Sequence, residues 1–168
     1  MRDTLISDLF HHLSKRLSFP FDSAPSAIEQ KVEALPLPMD VKRLLQWHWP
    51  RAYAFVGPYD LAPAEAILEH HDLTRLLQAQ MVPVGSARNG DILVIRFDQT
   101  DRAEIGLICH DALWEDPQLN PIEAFSPVAS SVEEFLYRAV EDRFLPIDSY
   151  SAEELHQMVS ELNKRGGA

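Results

Sequence analysis

The sequence predicts an α+β fold in which a mostly antiparallel sheet, centred on residues 81–109, is covered by helices from both ends of the chain. Apolar residues recur at helical spacing towards both ends. In the middle, three β-rich runs are parted by turn residues, one of them an Asn-Gly pair. No polar linker or internal repeat divides the 168 residues, which predicts a single domain over 1–168.

Leu5, Leu9, Leu13 and Leu17 stand four apart with Ile6 and Phe10 beside them, the stripe of an amphipathic helix over residues 1–18 that Phe19-Pro20-Phe21 ends. Ser26 and Glu29 have capping-box spacing, and Ile28, Val32 and Leu35 continue a short second helix to the Leu35-Pro36-Leu37-Pro38 break. Pro38 suits a first helical position, and Met39, Val41, Leu44, Leu45 and His48 carry a third helix up to Pro50. Residues 52–56 read as extended, closed by Gly57-Pro58. Two short helices follow, the second capped by Asp72 and carrying Leu73, Leu76 and Leu77.

The β-rich runs are 81–84, 91–97 and 104–109. Asn89-Gly90 predicts a type I′ hairpin turn, because both central residues of that turn need positive φ. Ile92, Leu93, Val94 and Ile95 are apolar at both parities, so that strand is expected to be covered on both faces. Residues 115–129 hold three prolines and read as a long loop with a brief strand near 122–125. Ser130 and Ser131 precede Glu133 and Glu134 by three, and Phe135, Leu136, Ala139, Val140 and Phe144 form the apolar face of a late helix. A last helix is expected after Ser151, ending at Gly166-Gly167.

Charge narrows the function classes. The chain carries 15 Lys plus Arg against 26 Asp plus Glu, a formal charge of −11. Such a surface repels polyphosphate, so no nucleic-acid partner is expected. Residues 1–84 hold 8 basic and 10 acidic side chains and residues 85–168 hold 7 and 16, so the halves stand at −2 and −9. An acidic half solvates well and also attracts a basic partner. The one cysteine, Cys109, allows no internal disulfide and suits a reducing compartment, so a cytoplasmic location is expected. The N-terminus carries Asp3 and Asp8 and no unbroken apolar run, so neither signal peptide nor membrane contact is expected.

The order of these pieces resembles the SUKH superfamily, the Smi/Knr-type fold of a fungal cell-wall synthesis regulator and of many bacterial immunity proteins. The matching pieces are Leu35-Pro36 leading to Leu44-Leu45; Val84-Gly85-Ser86 and Asn89-Gly90-Asp91-Ile92-Leu93; Gly106 to His110-Asp111; and residues 129–136. They span roughly residues 26–142, leaving the first and last helices as additions. The chain departs from the pattern at Trp47-His48-Trp49-Pro50, where the family has an Asn-Gly-rich loop. The resemblance implies a non-enzymatic protein-interaction module, often one that neutralises a toxin by occupying it; acidity suits a basic toxin. Its fungal members suggest, by analogy alone, a scaffold role in cell-envelope synthesis.

Cys109-His110-Asp111 looks like a nucleophile, base and acid, but on a strand successive side chains point to opposite faces, which would part Cys109 from His110 and pack Cys109 with Ile105 and Leu107. His11-His12 and His70-His71 lack the spacing that places two ligands on one helical face, so no metal or other cofactor is expected. Trp47 and Trp49, two apart, fall on different faces of a helix, so at least one should stand outside the core stripe. Trp47, Trp49, Asp91, Asp111, Trp114, Glu115 and Asp116 are the candidate partner-binding residues, with tryptophans as anchors among acids. The alternative that all three tryptophans cap the core stays open. A second function class, a small hydrolase or ligand-binding enzyme, would use His110, Asp111 and Asp91, and requires that they converge within hydrogen-bond reach.

Overall fold

The structure, a computed structural model, describes residues 3–17, 25–98 and 103–141, and near the C-terminus residues 157, 160, 161, 163 and 164. Its frame is a six-stranded antiparallel sheet in which every strand pairs with its neighbours in chain order, β1 to β6. Helices cover both faces, as the alternation of helical and β periodicity requires.

Helix α1 (Asp3–Leu17) buries Leu5, Ile6, Leu9, Phe10 and Leu13. Helix α2 (Ser26–Glu33) does not use Ser26 as its cap: Pro25 holds that place, its carbonyl receiving the Ile28 and Glu29 N–H groups, and Ser26 is already helical. Helix α3 (Met39–Trp47) likewise starts one residue after Pro38, which is its cap rather than its first turn. Gly57, at φ +59°, turns β1 (Ala54–Val56) into β2 (Tyr59–Leu61), a strand the sequence reading did not separate from the turn. Helices α4 (Ala64–Leu68) and α5 (Leu73–Gln78) are the expected pair. Asp72 sits at the start of α5, but its carboxylate lies 2.8 Å from His71 Nε2 and makes no cap bond.

The central meander is β3 (Met81–Ala87), β4 (Ile92–Phe97) and β5 (Ala103–Ile108). Its first turn is not type I′. Only Gly90 has positive φ (+91°) there, while Ala87 accepts from the Gly90 N–H and donates to Asp91. This is a three-residue loop with a left-handed last residue, and Asn89 is spared the positive φ. After β5 the chain enters helix α6 (His110–Glu115), which the sequence does not predict; within the expected loop over 115–129 lie a 3-10 turn over Pro121–Ala124 and, later than the strand expected near 122–125, β6 (Phe125–Ala129). Helix α7 (Val132–Val140) follows. Ser131 caps it, accepting from Glu134 N–H at 3.0 Å, while the Glu134 carboxylate receives the Ser130 N–H at 2.8 Å. Phe144, residues 99–102 between β4 and β5, and most of the helix expected after Ser151 lie outside the described residues.

Ile92 to Ile95 are buried on both faces, as expected, and the two faces belong to different cores. Leu93 and Ile95 join the larger core, with α1, α2, α3 and α7. There Trp49 is fully buried, packed edge-on to Phe10 at 5.9 Å with its Nε1 donating to the Ala62 carbonyl at 2.7 Å. Ile92 and Val94 join a smaller core with Leu76 of α5, Met81, Ile108 and Leu113 of α6. The first helix is thus part of the main core rather than an appendage, and Asn163 Oδ1 stands 2.9 Å from His12 Nε2 on it. Among the described residues no helix is long and apolar enough to cross a membrane.

Candidate functional site

A cleft of about 790 Å³ opens beside the smaller core, between α6 and the turn that joins α4 to α5. Its floor is the sheet: Gly85 and Ser86 of β3, Gly90 and Ile92. Leu113, Trp114 and Pro117 form one wall, and His70, His71, Asp72 and Arg75 the other. Arg75 fastens the walls together. Its guanidinium donates to the carbonyls of Leu113 (3.0 Å), Asp116 (2.9 Å) and Leu119 (2.7 Å), which ties it to the scaffold.

His110 is the hinge of the site. The chain leaves β5 at Ile108, Cys109 takes the cap position and His110 begins α6. The strand geometry expected for Cys109-His110-Asp111 therefore does not apply, and Cys109 is exposed instead of packing with Ile105 and Leu107. The imidazole lies over Gly90, so close that a Cβ there would come within 3.1 Å of His110 Cε1. One ring nitrogen, Nδ1, is 3.4 Å from Asp91 Oδ1; the other, Nε2, is 3.1 Å from Asp111 Oδ1. His110, Asp91 and Asp111 do converge, as the enzyme alternative requires.

Asp91 is held by the hairpin turn. Asn89 Nδ2 donates to its Oδ2 at 2.8 Å, and the His110 backbone N–H reaches its Oδ1 at 3.4 Å. Burial works to raise the Asp91 pKa, but these hydrogen bonds and the His110 charge together outweigh it and keep the carboxyl below its ordinary value. Asp91 is thus an anchored anion behind His110 and does not itself line the cleft. Asp111 is exposed and shares a helical face with Trp114, three residues on.

The three tryptophans separate. Trp114 is 83% exposed at the mouth of the cleft, with Glu115 and Asp116 exposed beyond it. Trp47 is 45% exposed but lies on α3 and does not line the cleft. Trp49 is 0% exposed and so is a core residue rather than a binding residue, because the turn after α3 drives it into the main core.

Sequence reasoning missed the opposite wall. His70, His71 and Asp72 place ligand atoms within 4.8 Å of one another, which the helical-spacing rule overlooked because they lie in a turn. Their fit to a metal ion is poor as they stand. The two rings stack with centroids 4.7 Å apart and planes 14° apart, so their in-plane lone pairs run side by side. His70 Nδ1 also accepts the Asp72 N–H at 3.2 Å, which puts the ring proton on Nε2. Burial, then the neighbouring His71, lowers the His70 pKa, with Asp72 opposing. The chain matches no protein-family model, no curated protein and no solved structure.

Proposed function

We propose that this chain is a non-enzymatic interaction module that binds a basic segment of a protein partner, seating a cationic side chain in the cleft between Trp114 and Asp111. The observation that carries this reading is Trp114: a large aromatic ring left in solvent at the rim of an open cleft whose carboxylates outnumber its free cations. Exposure of an indole costs hydration free energy that a partner's burial would recover. A guanidinium or ammonium over that ring gains cation–π attraction, and Asp111 on the same helical face supplies the counter-charge. The resemblance to SUKH immunity and regulatory proteins supports the same class, with a basic toxin as the partner and the cytoplasm as the place.

Panning a random peptide library on the full chain tests this. Recovered peptides should be rich in Arg or Lys, and Trp114→Ala and Asp111→Asn should each weaken them about tenfold or more. Binders without basic residues, or binding indifferent to both substitutions, would overturn the reading.

The contact of His110 with both Asp91 and Asp111 favours a second reading, a small hydrolase with His110 as general base. Both ring nitrogens face carboxylates, so this role needs the exposed Asp111 to turn aside. Turnover of a chromogenic ester or phosphodiester that disappears in His110→Ala would favour it over the first.

A further inference from the structure

Taking the cleft as a site for a basic partner segment, we propose that the binding surface continues along one cross-strand row to Asp60 and Phe55, where the segment delivers a second cationic side chain. The row follows from register. Phe55 pairs with Asp60, Asp60 with Ser86, Ser86 with Ile92, Ile92 with Ile108 and Ile108 with Phe125. Directly paired residues present their side chains on the same face, so these six form a line across all six strands. Ile92 and Ile108 are covered in the smaller core, and Ser86 lines the cleft. The other end of the line is open: Phe55 is 71% exposed, although its strand neighbours Ala54 and Val56 are buried on the opposite face.

Asp60 lies between. Its Oδ1 is buried and has no hydrogen-bond partner among the described residues, while the residue as a whole stays partly exposed. A carboxylate spreads its charge over both oxygens, so one that has lost hydration at Oδ1 gains more than an ordinary surface acid from a cation on its accessible side. Burial alone raises its pKa, which agrees with a group short of partners. A guanidinium bound there would also lie beside the Phe55 ring, and the same face already carries such a pair, Arg96 with its Cζ 4.7 Å from the Phe125 centroid.

Charge complementarity chooses the occupant. Asp60, Asp72 and Asp111 border the row and cleft, and the one arginine that lines the cleft has its donors on three main-chain carbonyls. Asp60 is on β2 and Asp111 is on α6, which follows β5, and the lateral step from β2 to β5 is three strands, roughly 14 Å at about 4.8 Å per strand. An extended peptide covers that in about four residues, an even number that keeps both side chains on one side. The segment is therefore extended and basic, with cations at i and i+4.

Two synthetic probes decide the matter, acetyl-Arg-Gly-Ser-Gly-Arg-amide and acetyl-Gly-Gly-Ser-Gly-Arg-amide, titrated by NMR against the full chain at about 150 mM salt. The first should bind about tenfold more tightly than the second. Asp60→Asn and Phe55→Ala should each remove most of that advantage while leaving the one-arginine peptide unchanged; Glu29→Gln on α2, behind the sheet, should change neither. Equal affinity of the two peptides for the native chain, or an equal loss for both in Asp60→Asn, refutes the extension and leaves the cleft reading standing. Failure of both peptides to bind, with Trp114→Ala also silent in library panning, removes the cleft reading and the extension with it.

Discussion

Replacing Trp49 and Trp114 in turn separates a core residue from a surface anchor with the same side chain. Trp49 is wholly buried, touches Phe10 and hydrogen-bonds the Ala62 carbonyl. Trp49→Ala removes that packing and leaves a cavity, a loss of about 3–5 kcal/mol. For a chain of this size each kcal/mol moves the melting temperature by about 2–4 °C, so a fall of roughly 6–20 °C is expected. Trp49→Phe keeps most of the ring but strands the carbonyl, at about 1–3 kcal/mol. Trp114→Ala, with little contact area to lose, should stay within about 0.5 kcal/mol of the native chain. Urea unfolding of the three variants, with thermal melts beside it, measures all of this. A Trp114→Ala variant as destabilised as Trp49→Ala would mean that its indole is packed, and the anchor role would fall.

Gly90→Ala should cost roughly 1–2 kcal/mol in urea unfolding, since φ is +91° there and the new Cβ would stand 3.1 Å from His110 Cε1; the His110 ring signals should shift with it. The buried Glu134–Arg138 pair on α7, tied to Ser130 and to the Val128 carbonyl, predicts that Arg138→Met alone costs about 3–5 kcal/mol and that adding Glu134→Leu recovers part of the loss in a double-mutant cycle. Stability should also depend on pH through two groups. Asp91 has a lowered folded pKa, so its contribution is complete above the unfolded value of about 4 and is lost as pH falls through the folded one; Asp91→Asn should flatten that acid limb. His70 is likewise lowered, so the unfolded chain takes up its proton first, and stability should decline as pH falls below about 6.5, a decline absent in His70→Gln. Superimposable pH curves for variant and native chains would contradict both assignments.

Local chemistry alone foretold much of the frame. The apolar stripe of α1, the pair α4 and α5, the doubly covered β4 and the Ser131 cap of α7 all follow from spacing and residue type, because helix and strand periodicity and capping act over a few residues. Where local signals competed, residue type alone did not choose between them. Pro25 stands at the cap of α2 where Ser26 has the capping-box spacing, and the Asn89-Gly90 turn kept its hairpin but took the form that needs a positive φ only at glycine.

The site was legible in parts. Asp91, His110, Asp111 and Trp114 could be named from order and type, but their meeting could not, since it depends on the chain turning into α6 directly after Ile108 and on Gly90 making room for the imidazole. Which tryptophan faces water, how His70 to Asp72 come to oppose α6, and that Phe55, Asp60 and Ser86 share a row are properties of packing and strand register. Those depend on contacts between residues far apart in the chain, and periodicity carries no information about them.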